Sequence, residues 1–481
     1  MAPAPEVSEK TTMQTSPRRR AVLLMVVTTV VLLRAAAVIL PEPQVSPDSR
    51  ERYERLAQHI MQGRGFSQEV DGKDVPDDFD QPVYPYFLAF MYSLPGGGRR
   101  SVVIVQVLLE LATLFLALKI TQTLGYSKKV QLGTIVFGLA CPFILLFSAM
   151  ILTEVLATFV VTLTSYLLIR ALTSRHATLW GVAGLAGGGC LLVRSDTVIV
   201  IFLLMVTALF LYWRKVGLKA LATAALFMVL GVTMALTPWM IRNYRAFHGL
   251  RPLGGTATQV RLPYARWLTT WLDDPKYLDP FWWNALDPAT PYDLPVGKIP
   301  EDERKQAEAA LVMAKAQGSY DGQPARVFSE LAEKARHERP LKTFIVVPAR
   351  RMIMTWFRMP AIINSSVLKP AAYIFWLSLL GMVMVGLVTT RGLRNSVLLI
   401  LLMQVLGRSV LPLLSSLAAE PRYMIEALPA CFILAAVGLS LWLDRSARRF
   451  TEPKTLAKLQ GIRRPSFYKS QSSRDGWLRS G

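Results

Sequence analysis

Ten apolar stretches punctuate the chain, at about 21–40, 101–120, 130–149, 152–171, 178–194, 197–213, 220–241, 367–389, 396–415 and 423–443. Each has roughly the 17 to 25 residues that a helix needs to cross a bilayer. Backbone facing lipid must satisfy its own hydrogen bonds, so each stretch predicts a transmembrane helix. The pattern therefore predicts an all-α polytopic membrane protein with about ten transmembrane helices. The polar positions between them are spread unevenly, with long runs only at 41–100 and 242–366. This divides the chain into a tail 1–20, a transmembrane module 21–241 that includes the loop 41–100, a large loop 242–366, C-terminal helices 367–443 and a basic tail 444–481.

The two long loops have patterns of their own. From Asp48 to Gln62, Tyr53, Leu56, Ala57 and Ile60 recur at helical spacing, which predicts an amphipathic helix lying on the membrane and ended by Gly63 and Gly65. An acidic run follows, then Gln81-Pro82-Val83-Tyr84-Pro85-Tyr86. In the second loop an aromatic and acidic section, Trp267 to Trp283, precedes Pro-rich turns. The section Glu301 to Arg339 is helical and charged, and Leu341 to Met359, with Arg350, Arg351 and Arg358 among Phe344, Ile353, Trp356 and Phe357, predicts another interfacial helix.

Composition agrees with a membrane protein: 52% of the 481 residues are hydrophobic and mean hydropathy is +0.35. The formal charge of +21 does not indicate nucleic acid, because Lys and Arg fall mainly in short loops and tails. Arg18 to Arg20, Lys128 and Lys129, Arg175, Arg214 and Lys215, Arg391 and Arg394, and Arg445 to Arg449 all fall on one side if there are ten helices. Both termini are then cytoplasmic, and both long loops lie outside the inner membrane. The first apolar stretch is long for a cleaved signal peptide and reads as a span. Cys141, Cys190 and Cys431 lie in apolar runs without ligand spacing, and four histidines offer no zinc pattern.

Outer carboxylates and arginines supply the parts for chemistry on a lipid-linked phosphate, since a carboxylate takes a proton from an attacking hydroxyl and Arg offsets the leaving phosphate charge. Asp48 is the first candidate base and Glu51 the second, although an Asp at a helix start also serves as a cap. Arg34 sits inside the first span, where a cation faces a carboxylate, a phosphate or the interface. Glu154, Arg194, Asp196, Arg242, Arg408 and Arg422 gather toward the same face. Trp267, Trp271, Trp282 and Trp283 suit either sugar stacking or packing at the interface. No Gly-rich phosphate loop, dinucleotide fingerprint or Ser/His/Asp order is present, so a soluble nucleotide-sugar donor is unsupported.

The ordered set Asp48-Ser49 with Tyr53-x-x-Leu56-Ala57, Gly63-Arg64-Gly65-Phe66, Pro82-Val83-Tyr84-Pro85-Tyr86, Leu152-Thr153-Glu154, Thr237-Pro238-Trp239 through Arg242-Asn243-Tyr244, and Glu420-Pro421-Arg422-Tyr423 resembles the GT-C membrane glycosyltransferases. The resemblance is to bacterial relatives of protein O-mannosyltransferases and of the enzyme that adds aminoarabinose to lipid A. It implies an inverting transfer of a hexose or pentose from a polyprenyl-phosphate carrier to a glycan, lipid or protein hydroxyl, with no cofactor and no required metal. The implied base is Asp48. Relatives carry the acid four residues before the Tyr, where Ser49 stands here, which keeps Glu51 in contention. The phosphate would be met by Arg34, Arg242, Arg408 and Arg422, and the sugar or lipid by Tyr53, Tyr84, Glu154 and Trp267. Some relatives carry a Lys where this chain has Gln81. A transporter or flippase, and a surface-polysaccharide polymerase or ligase, are the competing readings. A transporter predicts broken helices at mid-membrane or repeated halves.

Overall fold

A computed structural model describes residues 17–39, 47–70, 72–174, 176–253, 262–287, 290, 293–360, 363, 366–389, 397–415 and 420–451. The basic positions Arg175, Arg391 and Arg394 and the tail beyond Thr451 lie outside the described residues.

Every one of the ten apolar windows is helical. In chain order the first elements are α1 (Pro17–Ile39), α2 (Pro47–Met61), the strands β1 (Ser67–Val70) and β2 (Lys73–Pro76), and α3 (Val83–Ser93). The bundle continues with α4 (Arg99–Thr123), α5 (Lys128–Leu139), α6 (Pro142–Ser148), α7 (Glu154–Thr173), α8 (Thr178–Val193), α9 (Val198–Trp213) and α10 (Leu218–Phe247). The second loop holds α11 (Pro263–Leu268), α12 (Glu301–Gln317), α13 (Gln323–Glu338) and α14 (Val347–Phe357), and α15 (Leu368–Thr389), α16 (Leu398–Leu414) and α17 (Leu428–Thr451) complete the bundle.

The expected count of ten spans is not reached by length and hydropathy. Among the described residues six helices are long and apolar enough to cross alone, or seven if α5 and α6 form one span. That pair was expected as one straight helix over 130–149. It bends by 51°, because Pro142 has no N–H to continue the ladder and its ring excludes the preceding helical turn. The windows at 178–194 and 396–415 form helices of 16 and 17 residues, α8 and α16, short for a crossing. The protein is a multi-pass helical membrane protein whose spans are of unequal length.

The bundle core joins residues of α4, α7, α8, α9 and α17. Small residues bring α8 and α10 to backbone contact: a Cβ on Gly231 would lie 2.1 Å from the carbonyl oxygen of Gly181. At one end of the bundle Lys129 of α5 meets Asp444 of α17 at 2.7 Å. The starts of α7, α9 and α17 and the end of α8 gather at the other.

Helix α2 forms as its spacing predicts. Leu56 and Ala57 are fully buried, Tyr53 and Ile60 pack against buried residues, and Gly63 and Gly65 take positive φ values of 76° and 75° beyond its end. The helix begins at Pro47, so Asp48 lies within the first turn and not at the cap position. The acidic run was not expected to pair, yet β1 and β2 form an antiparallel hairpin, Ser67 opposite Pro76 and Val70 opposite Lys73. The second loop folds into a lobe with its own core of Tyr264, Trp267, Trp271, Phe281 and Phe328.

Candidate active site

Arginines at and beyond the end of α10 help to fasten the first loop to the bundle. Helix α10 runs beyond the apolar window and carries Arg242 with it. The Arg242 guanidinium donates to the carbonyl of Asp77 at 2.7 Å and to that of Phe66, and lies over the rings of Phe66 and Trp239. Arg251 pairs with Asp78. The Asp77 carboxylate accepts the amides of Phe79 and Asp80, which closes the turn leading to Asp80.

Asp80 holds α2 from that turn. Its carboxylate meets Arg52 Nε at 2.7 Å, and the Arg52 guanidinium lies 3.8 Å from the ring centre of Phe79. Burial pushes the Asp80 carboxyl up to about 6 against the pull of Arg52. Tyr53, next along α2, is partly buried and packs edge-on to Tyr84 at 5.3 Å. Burial, with Asp80 adding to it, raises its phenol above the usual range and keeps it neutral.

Beyond Tyr53 the ends of four elements bring charges together. Arg194, just past the end of α8, meets Glu154 at 2.8 Å, Asp196 at 2.8 Å and Glu426 at 3.4 Å. Arg408, fully buried on α16, reaches Glu426 at 2.6 Å and Asp196 at 3.4 Å. Arg408 and Glu426 form a close, fully buried ion pair. Three carboxylates therefore share two guanidinium groups. Arg422, paired with Glu420 at 2.6 Å, flanks them, and Tyr423 lies between the two arginines, 5.0 Å from Arg194 and 5.3 Å from Arg422. The last helix is entered through a buried 3₁₀ turn, Pro421–Ala427, fixed where Gln404 donates to the Glu426 carbonyl at 2.6 Å and accepts from Ser165. Ionisable groups buried together in a membrane protein make this cluster the candidate functional site.

The sequence candidates divide accordingly. Glu154, Arg408 and Arg422 share this cluster with Arg194 and Asp196, and Tyr53 borders it. Asp48 occupies the first turn of α2, and its side chain lies outside the described residues. Glu51 is exposed and pairs with Arg55 at 3.4 Å. Arg34 is buried against Glu110 at 2.5 Å, a carboxylate that also accepts from Ser148 at 3.1 Å. Arg242 is engaged with loop carbonyls. Tyr84 is fully buried and donates to Gln106 at 3.0 Å. Trp267 packs within the lobe, its indole donating to Glu303 at 3.1 Å.

Three participants were not singled out from sequence: Arg52, Asp80 and Glu426. Glu426 had a visible mark, being an acid within the window 423–443. Arg52 and Asp80 resemble ordinary loop charge until the fold joins them.

The fold and this buried cluster define a multi-pass helical membrane protein with ionisable groups gathered among its helices. Residues 74–241 match the family model described as dolichyl-phosphate-mannose-protein mannosyltransferase, which bears out the resemblance to GT-C membrane glycosyltransferases. The matched segment includes Asp80, Tyr84, Glu154, Arg194 and Asp196. Among solved structures, the chain is similar to the archaeal oligosaccharyltransferase AglB from Archaeoglobus fulgidus in complex with an inhibitory peptide and a dolichol-phosphate. The identity is 11% and the TM-score 0.49, over 93% of this chain and 53% of that one. The chain thus spans about half the length of AglB. It is also similar to ArnT from Cupriavidus metallidurans bound to undecaprenyl phosphate, at 14% identity and a TM-score of 0.37 over 87% of this chain and 78% of that one. The apo state of ArnT gives 13% and 0.37 over 88% and 78%. No curated protein matches.

Proposed function

We propose that the protein is an inverting glycosyltransferase that moves a sugar from a polyprenyl-phosphate carrier to an acceptor hydroxyl at the outer face of the membrane. The observation that carries this reading is the meeting of Glu154, Arg194, Asp196, Arg408 and Glu426 beside the helix that bears Asp48. The family match over 74–241 supports the class of donor. In the reaction the Asp48 carboxylate accepts the proton of the acceptor hydroxyl, and the oxygen forms a bond to the anomeric carbon. The bond from that carbon to the phosphate oxygen breaks on the opposite face, and the electron pair leaves with the lipid phosphate. Arg422, buried beside the cluster and paired with Glu420, is the cation assigned to the phosphate, with Arg194 and Arg408 fixing the field beside it.

Purified protein with a polyprenyl-phosphate sugar is expected to release lipid phosphate only when acceptor is added. Uptake of intact donor into sealed vesicles, without cleavage, would replace this reading with transport. Arg422→Ala is expected to weaken donor binding by roughly tenfold or more, the worth of one charge-assisted bond. Unchanged donor affinity removes Arg422 from the phosphate site.

Turnover is also expected to fall as pH drops through about 6. Above that value Asp80 is ionised and holds Arg52; below it the carboxyl is protonated and the ion pair is lost. Because burial places the folded-state value above that of an unfolded Asp, the contribution of this group to stability falls as pH rises through the same window. Acidification therefore frees Arg52 without unfolding the loop. The acid limb should disappear in Asp80→Asn, and a limb that persists there belongs to another group.

A further inference from the structure

The second loop ends in a continuous helical rod, a π-helical turn Lys342–Val346 running into α14, and the rod has two unlike faces. Thr343, Val347, Arg351 and Thr355 recur every four residues and are buried. Leu341, Ile345, Ile353 and Phe357 fall in the same four-residue register, with Ala349 at the intervening position, two residues out of phase, which on a helix is the opposite side. These four are 66%, 58%, 51% and 48% exposed, and Phe344 beside them is 62% exposed. A helix packed on one side and facing water on the other carries polar residues outward; this one carries aliphatic and aromatic ones.

Charge along the rod is unbalanced. Lys298, Arg339, Lys342, Arg350, Arg351 and Arg358 are opposed by Asp273, Asp274 and Glu303, six cations against three carboxylates. Lys342 donates to the Lys298 carbonyl at 2.7 Å, and Arg351 donates to the carbonyls of Thr269 and Leu413. Arg350 is well exposed and reaches Asp273 only at 3.5 Å. The Arg351 contact also sets the rod against the end of span α16, where Leu413 and Leu414 are exposed. The buried face of the rod is thus the one set against the bundle, and the apolar row points away from it.

We propose that this rod is a docking surface for anionic phospholipid: the Leu341, Ile345, Ile353 and Phe357 row enters the acyl layer while Lys342 and Arg350 bind phosphodiester headgroups of the bilayer. The occupant is bulk anionic lipid and not the sugar donor, since the excess charge belongs to the rod and not to the Arg194 cluster. This inference is independent of the proposed activity.

The full chain in nanodiscs tests it. The three cysteines of the natural sequence, Cys141, Cys190 and Cys431, are buried, so Ile353→Cys provides a single accessible label. The label is expected to be quenched by nitroxide on lipid acyl chains and protected from aqueous iodide. Phosphatidylglycerol retained by the protein over phosphatidylcholine is expected to drop about thirty-fold in Lys342→Gln/Arg350→Gln, at the usual contribution of a surface cation. Iodide quenching, equal retention in the double variant, displacement by polyprenyl phosphate but not by phosphatidylglycerol, or protection that appears only when two copies associate would each overturn it.

Discussion

Asp48→Asn is expected to lower turnover by a factor on the order of 10² to 10⁴, the usual contribution of a positioned general base, while leaving donor binding nearly unchanged. Asparagine keeps the size and polarity of the side chain but cannot accept the hydroxyl proton. The proposed reading assigns donor binding to arginine, Arg422 first, so it should persist. Helix α2 should also persist, because it is held by Leu56 and Ala57 in the core and by the ion pair of Arg52 with Asp80. Glu51→Gln is the control: Glu51 is exposed and paired with Arg55, so its loss should cost little. Release of lipid phosphate and donor affinity, measured on both variants, separate the two acids. Full turnover in Asp48→Asn with loss in Glu51→Gln would transfer the role to Glu51, and full turnover in both would remove α2 from the chemistry.

Arg408→Met is expected to destabilise the protein by about 3–5 kcal/mol, the range for breaking a buried ion pair from one side. Arg408 is fully buried, and its loss leaves Glu154, Asp196 and Glu426 facing Arg194 alone. The local charge moves from minus one, three carboxylates against two guanidiniums, to minus two in a site with little water. Adding Glu426→Gln returns it to minus one. The double variant is therefore expected to recover much of the thermal stability lost in the single one, measured in lipid nanodiscs as a coupling between the two sites. A double variant as unstable as the single would show that Arg408 acts by packing, through its long aliphatic stem.

Much of the scaffold could be read directly because it rests on local patterns. The apolar windows, helix α2 with its glycine stop, and the helical character of 301–339 each follow from period and punctuation within a few residues, although the break of that section into α12 and α13 was not foreseen. What escaped depends on contacts between distant parts of the chain. The β1–β2 hairpin is short and two-stranded, with an acidic sequence that gives no alternation. Trp267 and Trp271 carry the same residue type whether they meet lipid, sugar or one another, and only the lobe's closure assigns them to its interior. Arg242 was legible as an unusual cation at a helix end, but its engagement with two loop carbonyls requires the loop to return to it. Glu426 is the instructive miss, an acid inside an apolar window whose two arginine partners come from the end of α8 and from α16.

The lobe between residues 262 and 338 encloses its own aromatic interior, and the rod that follows it meets the bundle through Arg351. Substitutions on the lobe's outward side are thus insulated from helix packing in the bilayer. Divergence there can proceed while the spans stay fixed, so one membrane chassis can carry differently shaped lobes.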